Sequence, residues 1–320
     1  MSARKDESIV MIYEKPSLYF FPYYKDRVFA PFCSERKGLW YLAYKALYLV
    51  GSPLCAVFWG KWKQKIKKAE MVVIFDYGYQ TGMETYIKKI NPDCEVYLFC
   101  WNKIDKVHCN YKNFQFKDHI YSTDPRDCKT YGFKYNHIFY PKVGRQPAGE
   151  RNRLFFVGTG KGREEYLSAI GSLMKSSGAI CDIRILKGKK NKTDLSESNL
   201  TIIERPMGYS EYLKEMKKSG ILLEIIQEGQ SAITMRTLEA VFFSKKLITN
   251  NPDIVKYDFY CENNIFLLPR DISSVTCEDI REFLGKPFLP YPEEVIEAHS
   301  YEHWKKGFSR DSLKQGEEAL

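Results

Sequence analysis

Residues 209–251 read YSEYLKEMKKSGILLEIIQEGQSAITMRTLEAVFFSKKLITNN, and this order decides the fold class. The pattern predicts a helix over Ser210–Ser219, capped by Ser210 and closed by Gly220, running into an apolar strand over Ile221–Ile226. A polar loop containing Gly229 follows, then a helix that Ser231 can cap, then a second apolar strand over Lys246–Thr249. Helices alternating with short continuous apolar strands make a parallel α/β sheet. In such sheets the strand-end loop and the following helix N-terminus are where an anionic ligand is held.

The loop and helix carry the residues for that task. Glu228, Gly229, Gln230 and Ser231 lie at the strand's carboxyl end, and Thr234, Arg236, Thr237 and Glu239 follow on the helix. Arg236 and Glu239 are three apart and share a face. A guanidinium there can neutralise a diphosphate, and a carboxylate can accept both hydroxyls of a ribose.

The same pattern extends toward the N-terminus. Leu154–Val157 reads as a strand, Gly158–Gly162 as a glycine-rich loop, and Arg163–Ser176 as a helix ending at Gly178. Gly158, Thr159, Lys161 and Arg163 thus form a second candidate anion cradle, of backbone amides plus two cations. It is neither a Walker loop nor GxGxxG, because the glycines run GxGxG. Cys181–Leu186, Leu200–Ile203 and Asn264–Leu268 are further strands, and Glu293–Lys306 is helical.

The first half repeats the theme. Met71–Asp76 is an apolar strand ending in a carboxylate, Gly82–Ile90 a helix, and Glu95–Phe99 and Ile120–Ser122 strands. Asp124 and Pro125 open another helix as cap and first residue. Asp76, at a strand's carboxyl end, is placed to deprotonate a hydroxyl. The polar stretch Val143–Glu150 divides the chain into an expected N-terminal domain, 1–148, and a C-terminal domain, 149–320, two Rossmann-like α/β halves facing across a cleft.

Gly38–Gly60 is apolar and about as long as a membrane span. Lys45 interrupts it and Gly51-Ser52-Pro53 breaks it, so a helix over Leu39–Val50, a turn and a short apolar piece are expected. Lys61–Lys68 follows as a basic run containing Trp62. Aromatic and aliphatic residues beside lysines suit either a core helix with a solvated neighbour or contact with an anionic bilayer surface.

Composition narrows the partners. The 320 residues carry 49 Lys and Arg against 40 Asp and Glu, a net +9 that favours phosphates, anionic lipids or nucleic acid. No nucleic-acid-binding motif accompanies the charge, so no nucleic-acid partner is expected. Nine cysteines without a CxxC pair suit reduced thiols in a cytosolic setting. Residues 1–7 are charged and Ile9–Tyr13 is too short for a leader's apolar region, so no leader is expected. His299 and His303 are four apart but have no third ligand in any recognised pattern, and no metal site is expected.

Residues Ile221–Asn251 resemble the donor domain of GT-B glycosyltransferases, in which a strand and glycine-containing loop lead to a helix bearing Glu-Ala and then a Lys-Pro-Val-Ile strand. Glu239-Ala240 and Lys246-Leu247-Ile248-Thr249 match those places, and Gly158 matches the glycine opening the donor domain. The first acid of that family's E-x7-E pattern falls on Ser231. The longer stretch from Met71 to Phe266 is similar to bacterial surface-polysaccharide proteins of the lipopolysaccharide core biosynthesis or CgeB-like group. Asp124-Pro125-Arg126-Asp127, Tyr131-Gly132, Phe139-Tyr140-Pro141 and the run Gly229–Glu239 carry that similarity.

The resemblance implies a cytoplasmic enzyme, peripheral at the inner membrane, that moves a sugar from a nucleotide-sugar donor to a lipid-linked or surface-polysaccharide acceptor. It implies no cofactor beyond the donor itself. Glu239 would hold the ribose. Arg236, Lys161 and Arg163 would stabilise the leaving phosphates, so no metal is needed, and Asp76 is the candidate base. A non-catalytic sugar-nucleotide-binding partner and a sugar-nucleotide epimerase are the rival readings.

Overall fold

The computed structural model describes residues 8–144, 149–187, 200–227, 230 and 232–308. The chain forms two compact units. One ends at His137 and resumes at Lys306; the other runs Ile138–Lys305. Each is built on a six-stranded parallel sheet, so the expected fold class, α/β with two Rossmann-like domains, is the one found.

The first sheet contains β1 (Ile9–Ile12), β2 (Val28–Phe29), β3 (Met71–Phe75), β4 (Glu95–Cys100), β5 (Ile120–Ser122) and β6 (Lys134–Tyr135). Its order is β2-β1-β3-β4-β5-β6, so the chain changes direction of winding between β1 and β3. Val72, Ile74, Val96 and Leu98 face a core with Met83 and Ile87 of α2 (Met83–Ile90). Phe75 and Phe99 point to the other face, with ring centroids 5.4 Å apart, as the two-residue period of a strand requires. Phe308 closes that face against Tyr97 and Tyr121, with centroids 5.0 and 4.9 Å away. The helix α3 (Pro125–Tyr131) starts as expected: Asp124 Oδ1 accepts from the Arg126 amide at 2.8 Å.

The second sheet contains β7 (Glu150–Thr159), β8 (Ile180–Leu186), β9 (Thr201–Ile203), β10 (Ser219–Glu224), β11 (Lys246–Thr249) and β12 (Ile265–Leu267). Its order is β12-β11-β10-β7-β8-β9. Counted from the unit's own first strand this is 3-2-1-4-5-6, the dinucleotide-fold order, with its switch point between β7 and β10. Leu154, Phe156, Ile183, Ile221, Leu223 and Ile248 share a core with Leu167, Ile170 and Met174 of α4 (Glu164–Ser176) and with Ile280 and Phe283 of α7 (Cys277–Gly285). Phe155 faces the opposite side, toward Tyr212 of α5 (Tyr209–Lys217). With both faces covered, the strands need near-continuous apolar sequence, which is why they read as unbroken runs.

Several boundaries differ from the sequence expectation. Gly208, not Ser210, is the residue ahead of α5, and Ser219 and Gly220 belong to β10. Helix α6 (Met235–Phe242) is capped by Thr234, three positions beyond the expected Ser231. The cap moves because Thr234 and Thr237 form a reciprocal capping box. Lys61–Lys68 is not a solvated helix but two short 3-10 turns that bury Trp62 and Ile66 completely. The terminal helix is split into α8 (Glu293–Ala298) and α9 (Tyr301–Lys306), because Ser300 leaves the helix to bridge Tyr140.

Candidate functional site

The parting of β7 and β10 is occupied by two arginines. The strands pair through Ile221 with Leu154 and Leu222 with Phe155. Just beyond, Arg236 spans the gap: Nη2 donates to Val157 O at 2.7 Å and Nη1 to Leu223 O at 3.2 Å. Two residues further along each strand, Arg163 repeats the pattern, donating from Nη2 to Thr159 O at 2.9 Å and from Nη1 to Ile225 O. Its Nε donates to Gly160 O at 3.0 Å. The guanidiniums therefore take strand-end carbonyls that lose their ladder partners where the chain changes winding direction. Arg236 also lies over the Phe156 ring, 4.6 Å from its centroid.

Among the described residues, no carboxylate stands within ion-pairing distance of either arginine. Burial, and then the neighbouring charge of Arg236, lowers the pKa of Arg163. Glu164 acts on Arg163 and Arg236 on Glu239 from beyond contact distance, and two like charges held this close form a site that a bound anion stabilises further.

The loop leading into α4 contributes less than its sequence suggests. Lys161 and Gly162 turn with φ of 53° and 81°, leaving Lys161 exposed. The buried Glu164 carboxylate folds back over Gly160, where a Cβ would collide with Oε1. The space beside Gly160, where the sequence suggested an approaching phosphate, is taken by the protein's own acid. Gly158 lies within β7 itself.

The next loop is tied by Gln230, whose Oε1 accepts from the Gln227 amide at 2.8 Å. Glu228, Gly229 and Ser231 lie outside the described residues. Thr234 and Thr237 are committed to a buried acid that sequence reading passed over, Glu224 at the end of β10. Glu224 Oε1 accepts from the two hydroxyls at 2.5 and 2.6 Å, and Oε2 accepts from Thr249 at 2.7 Å. This node joins β10, the start of α6 and the end of β11. A lone acid interrupting the apolar run Ile221–Ile226 was the available signal.

Glu239 is also buried. Its Oε1 accepts from Tyr209 at 3.0 Å and Oε2 from Tyr212; Tyr209 in turn meets the Tyr140 hydroxyl at 2.5 Å. Burial pushes the carboxyl up to about 7, against the opposing pull of the tyrosine bonds and of Arg236. The tyrosines lie three apart on α5 with rings nearly parallel, 5.7 Å between centroids. A hydroxyl-bearing ligand reaching Glu239 would have to share or displace these donors.

In the first unit, Asp76 stands immediately after β3, beside that sheet's switch point. It is buried, and burial pushes it up to about 6. Oδ1 accepts from the Tyr77 amide at 2.7 Å; Oδ2 accepts from the Asn102 amide and side chain at 2.7 and 3.1 Å. Tyr13, Phe21 and Trp101 form an aromatic cluster next to it, packed on Phe75 with centroids 5.4–5.5 Å away. Among the described residues, no three His, Cys, Asp or Glu side chains gather as a metal site would. His299 instead meets Asp258, Nε2 to Oδ1, at 2.9 Å.

No protein-family model matches the chain, and no curated protein matches it. Solved structures that are similar include an alpha-glucosyltransferase in complex with UDP and a 13-mer DNA containing a central A:G mismatch. It shows 14% identity and a TM-score of 0.41 over 81% of this chain and 76% of that one. The pneumococcal O-GlcNAc transferase GtfA in complex with UDP and GlcNAc shows 14% identity and 0.40, over 78% and 57%. TarM shows 10% identity and 0.44, over 76% and 55%.

Proposed function

We propose that this chain is a glycosyltransferase that draws a sugar from a nucleotide-sugar donor and passes it to a lipid-linked or surface-polysaccharide acceptor. The observation that carries the reading is the pair Arg163 and Arg236 at the switch point of the second sheet, anchored on strand-end carbonyls and lacking a carboxylate in contact. Transfer breaks the bond between the anomeric carbon and a diphosphate oxygen, and the electron pair stays on the diphosphate. Pre-positioned guanidiniums stabilise that charge, with Lys161 close by in sequence, in the role a metal ion would otherwise fill. Glu239 is the candidate ribose acceptor. Asp76, ionised at neutral pH, is the candidate base for the attacking hydroxyl.

A thermal-shift screen of the purified chain against UDP-, GDP-, CMP- and dTDP-sugars tests the donor site, because a ligand selective for the native state raises the melting temperature. One sugar nucleotide is expected to stabilise the protein. Arg236→Ala should weaken it roughly 10- to 100-fold, the worth of one charge-assisted contact of about 1.5–3 kcal/mol. No stabilisation by any of them, or affinity unchanged from wild type in both Arg163→Ala and Arg236→Ala, would remove the proposal. A second reading, sugar-nucleotide binding without transfer, is favoured by the burial of Asp76 and its three N–H bonds. Product analysis with donor and a lipid-linked glycan separates the two.

A further inference from the structure

We propose that the outward surface of residues 39–57 in the first unit docks on an anionic phospholipid bilayer. This inference stands on the exposed surface alone and is independent of the sugar-transfer reading. Helix α1 (Gly38–Leu49) turns its aromatic side inward. Tyr44 is buried, its hydroxyl donating to Gln80 at 3.0 Å, and the Tyr48 hydroxyl donates to Thr81 at 2.9 Å. The opposite side, where a water-facing helix carries charge, carries leucine. Leu39, Leu42 and Leu49 are 84%, 60% and 83% exposed. The following turn and 3-10 helix, Pro53–Phe58, continue the surface with Val50, Leu54 and Val57 at 77%, 61% and 69%. Aliphatic side chains this exposed protrude from the surface. A helix apolar on both sides has one side meant for something other than water.

Charge identifies the occupant. The 32 residues 38–69 contain six lysines and no acid. Lys45 lies within α1, its ammonium 5.0 Å from the Tyr41 ring centroid. Lys63 donates to Ala56 O at 2.6 Å and so sits beside Val57 at the edge of the patch. Lys61, Lys65, Lys67 and Lys68 are exposed on the turns that follow. Protruding aliphatics flanked by ammonium groups match the acyl-chain boundary and phosphate layer of an anionic leaflet. The contact is interfacial, since no helix among the described residues is long and apolar enough to cross a membrane.

The test is co-sedimentation of the full chain with vesicles of phosphatidylcholine, alone or with about a third phosphatidylglycerol. Binding is expected on the anionic vesicles, much weaker binding on the neutral ones, and a decline as salt shortens the screening length. Lys45→Gln/Lys61→Gln/Lys65→Gln should lower partitioning roughly a hundredfold, at about fivefold per lysine. Leu39→Glu/Leu49→Glu should abolish it with every lysine retained, while circular dichroism shows an unchanged fold. Absence of binding to anionic vesicles, or full binding by the Leu39→Glu/Leu49→Glu variant, would overturn the proposal. So would a concentration-dependent dimer in sedimentation velocity that this variant dissolves and vesicles do not compete away, since it would assign the patch to a second copy of the chain.

Discussion

Replacing Glu239 with glutamine removes a titrating group from the Tyr140–Tyr209–Tyr212 network while keeping its size and one acceptor oxygen. Burial raises the folded-state pKa of Glu239 from the ordinary 4.5 to about 7. Between those two values the native chain retains a proton that the unfolded chain has released. Stability from this group is therefore complete below about pH 4.5 and falls as pH rises toward 7. The gap corresponds to about 3 kcal/mol at 1.36 kcal/mol per pH unit. Asp76, raised from 3.8 to about 6, adds a decline of the same sign at lower pH, and it is present in both proteins. Subtracting the Glu239→Gln curve from the wild-type curve thus isolates Glu239. Urea unfolding followed by tryptophan fluorescence across this range is the assay. The wild-type unfolding free energy should fall relative to the variant by about 3 kcal/mol as pH rises through the window. Parallel curves, or a difference that grows in favour of the wild type with rising pH, would refute the assignment of a buried, burial-raised carboxyl.

Three further substitutions probe the frame of the site. Glu224→Ala orphans the hydroxyls of Thr234, Thr237 and Thr249 and opens a void at the start of α6; it should cost about 3 kcal/mol or more in thermal or urea unfolding. Thr234→Ala alone, which removes the cap and one of those bonds, should cost about 1 kcal/mol in the same measurement. Gly220→Ala would set a Cβ 2.7 Å from Glu150 O and 2.8 Å from the Arg151 backbone, so β10 and β7 would have to separate. A loss of about 2 kcal/mol or more is expected, with a weaker nucleotide response if the switch-point arginines depend on that strand spacing.

How much of the site was legible depended on how far apart its parts lie in the chain. The Asp124 cap and Pro125, the helix stop at Gly178, and β5 and β11 were readable because each is decided within a few residues. Arg163, Arg236 and Glu239 stand out in the sequence by residue type, but the carbonyls and tyrosines they meet do not. Glu224 escaped notice because a single acid inside the apolar run Ile221–Ile226 has no local mark of the three threonines it will hold. The strand Ile9–Ile12 was also missed, although it borders Asp76's switch point. Four apolar residues among aromatic loops have too short a period to distinguish strand from packing.

Taken by itself, the sequence determined the α/β class, the parallel character of both sheets and the order of most elements, because apolar periodicity and capping act over one or two turns of chain. It also determined an acid-free, lysine-rich apolar stretch at residues 38–69. Only the tertiary structure decided which strands are neighbours, and therefore where each sheet changes direction. Arg236 meets Val157 across 79 residues of chain, Arg163 meets Ile225 across 62, and Tyr209 meets Glu239 across 30. No local propensity encodes such meetings. They exist because burying two apolar sheet faces brings those strand ends together and leaves their carbonyls in need of a donor.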